Sequence, residues 1–202
     1  MSKIRKIVLA STNKGKVREF QAILGNSGYE IVPVSEFDNV PEVEETESTF
    51  EGNAILKTVS IAKTLNLPTI ADDSGLCVHG LGNRPGVFSA RSYGAKQDGY
   101  KAAFEQLWQE MALQTPDDDT AHFECCIAVA TPEGVVRVAT GQVFGRITKP
   151  ARGNNGFGYD PVFVPDGYSQ TFAEIDPSVK NSISHRAKAL EFVPEIIKEI
   201  LF

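Results

Sequence analysis

The sequence predicts an α/β fold in which helices pack against one mixed β-sheet. Apolar stretches of strand length alternate with amphipathic helical patterns over the first half of the chain. Two consecutive strand-like runs then follow with a short turn between them. A length of 202 residues suits one domain. We therefore expect a single domain over residues 1–202, in which a hairpin at about 121–148 belongs to a second lobe and a cleft separates the lobes.

The first elements follow a strand–helix–strand order. Lys6–Ala10 (KIVLA) is a short apolar run suited to a buried strand. The next segment, VREFQAILG, carries apolar residues at three- and four-residue spacing, which predicts a helix that stops at Gly25. Tyr29–Val34 is typical of a second strand.

The middle of the chain carries the clearest start and turn signals. Ser48 and Glu51 match a capping box, which predicts a helix through NAILKTVSIAKTLN. LPTIADDSGLCVHGLG predicts a strand, a turn at the aspartates and a second strand. Asp98 is the predicted N-cap of a further helix, DGYKAAFEQLWQEMAL.

The last third predicts a hairpin and a terminal helix. HFECCIAVAT and VVRVATGQVFGRIT are joined by Pro132-Glu133-Gly134 and are typical of two antiparallel strands. The final helix is expected from about His185 to Leu201, with Ser184 as its N-cap. Pro194 should kink or restart that helix, because proline lacks the backbone N–H.

Composition narrows the function classes. A formal net charge of −6 argues against a nucleic-acid surface, which usually needs a basic face, and no membrane-length apolar segment is present. The apolar stretch near the N-terminus is too short for a signal peptide. The three cysteines, Cys77, Cys125 and Cys126, have no zinc spacing and are predicted to be core thiols. We expect a cytoplasmic protein that binds neither nucleic acid nor membrane.

The segment Ser11-Thr12-Asn13-Lys14-Gly15-Lys16 lies where the first strand passes into the first helix. Backbone N–H groups and the helix dipole favour an anion at such a junction. Small hydroxyls, a glycine and two lysines add phosphate-binding chemistry, although the P-loop pattern is absent. The alternative is a solvated turn with surface lysines.

Asp72 and Asp73 follow the apolar run LPTI. Two adjacent carboxylates are costly to keep ionised together unless a cation lies near them. Oxygen ligands suit Mg²⁺, which also bridges phosphate oxygens. An ordinary aspartate-rich turn is the competing interpretation. The acidic stretch of Glu42, Glu44, Glu45 and Glu47 could supply another metal ligand, although such runs are more often solvated.

The segment GNNGFGYDP, residues 153–161, has more glycine than a plain turn needs. The glycines surround an aromatic pair, Phe157 and Tyr159, which favours a loop that is shaped to hold a ligand. In VKNSISHR, His185 and Arg186 bring positive charge to the start of a helix, which is unfavourable with the dipole. This arrangement hints that a negative ligand compensates.

Six motifs together resemble the inosine triphosphate pyrophosphatase family, and its bacterial type in particular. They occur in the family's order, from about Ile7 to Ala189: STNKGK, FEGNAILK, ADDSGL, PGVFSAR, GFGYDP and KNSISHR. The resemblance implies a strongly twisted mixed sheet in an elongated, two-lobed domain, and a homodimer. It also implies Mg²⁺-dependent hydrolysis of ITP, dITP or XTP to the nucleoside monophosphate and pyrophosphate.

The resemblance also implies the roles of individual residues. Asp73 would be the proton acceptor and a metal ligand, supported by Asp72. A glutamate of EVEETES would complete the metal site, with Glu44 as the first choice and Glu45 as the second, because the sequence alone does not fix the register of this segment. Glu47 stands where the family often has glycine. The residues implied to contact substrate are Ser11, Thr12, Asn13, Lys14, Gly15, Lys16, Lys57, Ser74, Phe157, Gly158, Tyr159, Asp160, Lys180, His185 and Arg186.

Two other functions remain open from sequence. One is a non-catalytic module that binds nucleotides, although binding alone does not require crowded carboxylates. The other is a pyrophosphatase for modified pyrimidine nucleotides. The motifs do not rank ITP, dITP and XTP.

Overall fold

The computed structural model describes residues 5–25, 28–95 and 99–201. Its strands are β1 (Arg5–Leu9), β2 (Tyr29–Pro33), β3 (Thr69–Val78), β4 (Arg84–Pro85), β5 (Thr120–Ala130), β6 (Val136–Ile147) and β7 (Phe163–Pro165). Its α-helices are α1 (Lys14–Leu24), α2 (Phe50–Leu65), α3 (Tyr100–Gln114), α4 (Pro177–Ile183), α5 (His185–Leu190) and α6 (Val193–Leu201). Within these ranges no helix is both long and apolar enough to cross a bilayer.

The strands form one mixed sheet in the order β2-β1-β3-β5-β6-β7, with β4 paired to β3. Strand β1 pairs in parallel with both β2 and β3, whereas β6 and β7 are antiparallel. This confirms the predicted α/β class with a mixed sheet. The β5–β6 connection is the predicted hairpin, closed by hydrogen bonds from Thr131 N–H to the Val135 carbonyl and from Gly134 N–H to the Thr131 carbonyl.

The chain divides into two compact units, each with its own apolar cluster. The first unit comprises residues 1–73, 125–141 and 186–202, and the second comprises 74–124 and 142–185. The first is centred on buried residues of β1, α1, β5 and α6, such as Leu9, Phe20 and Ile127. The second is centred on α3, β5, β6 and the segment after β7, with Leu107, Phe163 and Phe172 among its buried members.

Helix starts differ from the predicted ones by a few residues. Helix α1 begins at Lys14, because the Asn13 side chain accepts hydrogen bonds from the N–H groups of Gly15 and Lys16. The predicted capping box is wrong: Thr49, not Ser48, caps α2 by accepting from the Gly52 N–H. Helix α3 begins after Gly99, and Asp98, its predicted cap, lies outside the described residues.

The turn predicted at the aspartates is also wrong, because β3 runs without interruption through Thr69–Val78. Nearly every residue of β3 is buried, so no alternation of polar and apolar residues marks it as a strand. At the other end of the chain, the predicted long helix is divided. Ser184 ends α4 and is followed directly by α5, and the chain restarts as α6 with Pro194 in its first turn, as predicted for that proline.

Candidate active site

Asp72 and Asp73 lie on β3 and are only 2% and 5% exposed. Successive side chains of a strand point to opposite faces. The two carboxylates accordingly have different neighbours, and the two sides of β3 are named here the Asp72 face and the Asp73 face. Asp72, Asp73 and the side chains that contact them on these two faces belong to the first unit.

The Asp72 face is a buried ion cluster. Asp72 Oδ2 lies 2.9 Å from Lys16 Nζ and accepts from Arg186 Nη2 at 3.0 Å and Nε at 3.2 Å. Burial alone would raise the pKa of Asp72, but the Lys16 ammonium and the Arg186 guanidinium outweigh it and hold that pKa well below its usual range. The Cys125 thiol donates to the same oxygen at 3.8 Å. Asp72 is therefore held as an ionised carboxylate whose negative charge is balanced by these two cations.

Arg186 has a second acidic partner on this face. Its Nη1 donates to a carboxylate oxygen of Glu19, a buried residue of α1. Only 1% of Arg186 is exposed. The compensating negative charge expected next to Arg186 is thus supplied within the protein, by Asp72 and Glu19.

The Asp73 face carries less positive charge. Asp73 Oδ2 accepts from Asn53 Nδ2 at 3.0 Å, and Asp73 Oδ1 lies 3.8 Å from Lys57 Nζ. Burial raises the pKa of Asp73; Lys57 and Lys16 oppose this rise, whereas Glu45 adds to it. The net pKa is above its ordinary value. A carboxyl of this kind is a better proton acceptor than an ordinary aspartate.

Lys57 connects this face to the acidic segment. Its ammonium lies 2.5 Å from Glu45 Oε1 and donates to the backbone carbonyl of Asp72 at 2.8 Å. Burial would lower the pKa of Lys57, but Asp73, Asp72 and Glu45 together raise it. Glu45 is half-buried beside Lys57, whereas Glu44, Glu42 and Glu47 are exposed. Among these four glutamates, Glu45 is the one the structure brings to Lys57 and Asp73.

Two carboxylates of the Asp73 face are of the type that can hold a divalent cation. Glu45 and Asp73 offer carboxylate oxygens around a position now held by the single positive charge of Lys57. Mg²⁺ is usually bound by one or two protein carboxylates together with substrate phosphates rather than by a full protein cage. Among the described residues no group of three or more His, Cys, Asp or Glu side chains forms such a cage.

The segment Ser11–Lys16 lies at the start of α1 in the same unit. Asn13 Oδ1 accepts from the N–H groups of Gly15 and Lys16, at 2.8 Å and 3.2 Å, so the cap itself uses two of the first-turn donors. Lys14 is exposed, whereas Lys16 reaches Asp72. The two lysines of this segment therefore have different surroundings.

In the second unit, Asp160 organises the glycine-rich segment. Its Oδ2 accepts from the Phe157 N–H at 2.7 Å and from Lys180 Nζ at 2.7 Å. Lys180 Nζ also lies 5.0 Å from the centre of the Phe157 ring. Gly156 has φ +73°, and a Cβ there would collide with the Asp160 carboxylate. The glycine thus permits the close turn that holds Phe157 beside Lys180.

The other predicted residues of this unit have distinct environments. Tyr159 is 2% exposed and packs edge-on against Tyr100, with ring centres 5.2 Å apart. His185 stacks on Phe123 at 4.8 Å. Ser74, the residue after Asp73, is partly buried.

Sequence reasoning missed Asn53 and Glu19, which contact Asp73 and Arg186. Helical spacing offered a signal for both. Asn53 lies four residues before Lys57 on α2, and Glu19 lies three residues after Lys16 on α1, so each shares a helix face with a predicted site lysine.

Enzymes that act on phosphate groups rely on positioned cations and carboxylates, and both faces of β3 supply such groups. Residues 7–195 match the family model described as the Ham1 family, and the chain belongs to that family. The family predicted from the six motifs is thereby confirmed.

Relatives and solved structures cover almost the whole chain. A protein of Gluconobacter oxydans named dITP/XTP pyrophosphatase is 48% identical over 92% of this chain and 87% of its own length. A protein of the same name from Streptomyces avermitilis is 41% identical over 97% of this chain and 98% of its own. The structure of a HAM1 protein from Coxiella burnetii is 40% identical and has a TM-score of 0.88, over 96% of this chain and 99% of that one.

Proposed function

We propose that this protein hydrolyses non-standard purine nucleoside triphosphates, with dITP, ITP and XTP as its substrate class, to the nucleoside monophosphate and pyrophosphate. The observation that carries the proposal is the difference between the two neighbouring aspartates. Asp72 pairs with two cations, Lys16 and Arg186, whereas Asp73 shares one cation, Lys57, with Glu45. The names of the relatives support the choice of nucleotide.

Asp73 is assigned the role of general base. Hydrolysis of a phosphoanhydride needs charge neutralisation and an aligned water more than covalent chemistry. The Asp73 carboxylate can accept the proton of the attacking water as the bond from the water oxygen to the α-phosphorus forms and the bond to the pyrophosphate leaving group breaks. Asp72 has no such capacity while two cations hold it ionised, so its role is to fix Lys16 and Arg186.

Mg²⁺ is the proposed cofactor, held by Asp73 and Glu45 rather than by Glu44. When bound, it would lower the pKa of a coordinated water and neutralise phosphate charge. Lys57, whose ammonium lies beside both carboxylates, is assigned to the phosphates. Lys14 and the hydroxyls of Ser11 and Thr12 are assigned to the triphosphate.

Phe157, Lys180 and His185 are assigned to the base, as the motifs imply. Phe157 offers a ring for stacking, and Lys180 and His185 offer hydrogen-bond donors to a 6-oxo group. Adenine has a donor at that position, and a site built from donors discriminates against it because buried polar groups are left unpaired. Asp160 accepts from the Phe157 N–H and the Lys180 ammonium, and Tyr159 packs against Tyr100, so we assign both residues to the shape of the segment.

Arg186 is assigned to the Asp72 face. A contact with the base, as the motif implied, would require its guanidinium to leave both Asp72 and Glu19. We keep His185 for the base and give Arg186 the role of neutralising Asp72. A homodimer in the cytoplasm is the setting we propose for the enzyme.

A panel of nucleotides tests the function. The protein is incubated with Mg²⁺ and dITP, ITP, XTP, dATP, GTP or dUTP, and pyrophosphate and orthophosphate are measured separately. We expect pyrophosphate from the first three and little from the others. Tight binding of dITP without turnover would favour a binding module instead, and turnover of a modified pyrimidine alone would favour the other enzyme. Omission of Mg²⁺ with a chelator should abolish release.

A further inference from the structure

Asn53 occupies the centre of the Asp73 face and is completely buried. Its Oδ1 accepts from the Glu47 N–H at 2.9 Å, and its Nδ2 donates to the Glu47 carbonyl at 3.3 Å. The same Nδ2 donates to Asp73 Oδ2 at 3.0 Å. One side-chain amide thus joins the backbone of the acidic segment to the proposed general base.

Helix formation does not account for Asn53. The first turn of α2 is capped by Thr49, whose Oγ1 accepts from the Gly52 N–H at 3.0 Å. Asparagine is a poorer helix former than alanine in a helix interior. Its polar atoms are instead used for the two contacts outside the helix, with Glu47 and Asp73.

These contacts restrict both carboxylates of the face. The bond from Asn53 fixes the Asp73 carboxylate through Oδ2, and the other oxygen, Oδ1, is the one on the side of Lys57. The two bonds to Glu47 tie down the backbone two residues after Glu45. A catalytic group must keep its orientation within a small range to be effective.

We propose that Asn53 is a positioning residue that sets the orientation of Asp73 and anchors the segment that carries Glu45. Its kinetic consequence rests on the proposed function, but its structural consequence does not. Asn53 itself takes no proton and contacts no reacting atom in this assignment.

Two variants of α2 test the kinetic consequence. Asn53→Ala removes the contacts with Asp73 and Glu47. Thr58→Val is the matched control, because Thr58 is also fully buried on α2 and its Oγ1 donates to the carbonyls of Ala54 and Ala128, away from the Asp73 face. We expect Asn53→Ala to lower kcat for dITP about 10–100-fold, as for other groups that orient ligands or catalytic side chains, with KM little changed. Thr58→Val should keep the kcat of the wild type.

Limited proteolysis tests the anchoring without any substrate. A glutamate-specific protease can cut after Glu42, Glu44, Glu45 and Glu47, and fragments are identified by mass spectrometry. Loss of the two hydrogen bonds to Glu47 should speed cleavage in this segment about tenfold in Asn53→Ala and not in Thr58→Val. If Asn53→Ala does not fold, Asn53→Leu replaces it in the kinetic test, because leucine keeps the approximate shape and has no donor for Asp73.

The outcomes separate this inference from the proposed function. Equal changes in Asn53→Ala and Thr58→Val, in kcat or in cleavage rate, would overturn the role of Asn53. A wild-type protein that turns over none of the nucleotides would defeat the proposed function, and the cleavage rates would still decide whether Asn53 anchors the segment.

Discussion

The two faces of β3 place the same side chain in opposite electrostatic states. On the Asp72 face, Lys16 and Arg186 both pair with the Asp72 carboxylate, and Glu19 balances the second positive charge. On the Asp73 face, Lys57 is shared between Asp73 and Glu45, so burial prevails and the pKa of Asp73 rises. The comparison teaches that neighbouring positions on one strand can hold the same acid in different charge environments, balanced by two cations on one side and sharing one cation with a second carboxylate on the other.

Asp73→Asn should cause the largest effect, because it removes the general base and leaves the Asp72 face intact. We expect kcat for dITP to fall by about 10²–10⁴-fold. Steady-state kinetics measure the loss, and circular dichroism checks that the fold is kept. A folded variant with the wild-type kcat would contradict the assignment of Asp73.

Asp72→Asn should act mainly on stability. It would leave Lys16 and Arg186 buried without their shared carboxylate, which typically costs about 3–5 kcal/mol. Urea denaturation measures the free energy of unfolding. The double variant Asp72→Asn/Arg186→Met should lose less than the sum of the two single changes, because the pair is coupled. Strict additivity would mean that the contact between them contributes little.

The pH dependence of stability should sharpen the contrast for Asp73. Because the pKa of Asp73 is raised in the folded state, its protonation stabilises the fold. This contribution is fully present below the ordinary aspartate pKa of about 4 and is lost as the pH rises through the folded-state pKa. Asparagine does not ionise, so the Asp73→Asn variant does not lose stability in this way as the pH rises. The free energy of unfolding of the variant, relative to wild type, should therefore increase between pH 4 and pH 7. A difference that stays constant with pH would contradict the raised pKa.

Asp72 should show the opposite trend. Its depressed pKa contributes stability that is present above the ordinary aspartate pKa and is lost as pH falls toward the folded-state pKa. The stability deficit of Asp72→Asn should thus shrink under strongly acidic conditions. Denaturation curves at a series of acidic pH values measure this change.

The smallest effect concerns the thiol on the Asp72 face. Burial raises the pKa of Cys125, and the nearby Asp72 carboxylate raises it further. Cys125 is therefore a thiol at neutral pH, and a thiol reacts with disulfide reagents much more slowly than a thiolate does. We expect no labelling of Cys125 by Ellman's reagent in the native protein at pH 8, and full labelling after denaturation. Peptide mapping identifies the labelled cysteine, and rapid native labelling of Cys125 would contradict its burial.

Local patterns predicted the class of fold and much of its element order. The hairpin and the restart at Pro194 follow from turn chemistry and from the missing N–H of proline, which act over a few residues. The unbroken course of β3 did not follow from local rules. Its aspartates are tolerated inside a strand because distant groups pair with them, including Arg186, 114 residues away from Asp72.

In the candidate site too, some features follow from local sequence patterns and others depend on contacts made by the fold. The aspartates, lysines and aromatic residues stood out by type and motif. The choice between Glu44 and Glu45 did not, because it depends on which side chain the segment before α2 turns toward Lys57. Asn53 went unnoticed because an asparagine near a helix start is ordinary in sequence. Its spacing from Lys57 indicates a shared helix face, but its contact with Asp73 depends on the fold.

The uninterrupted run of β3 through both aspartates also limits how this protein can change. Inserting or deleting one residue within a strand turns every later side chain to the opposite side of the sheet. A single codon gained between positions 72 and 73 would aim both acids the same way, toward one set of cations. Point substitutions can therefore change the surroundings of either acid on its own. An insertion or deletion at this place would instead abolish the difference between the two acids in one step.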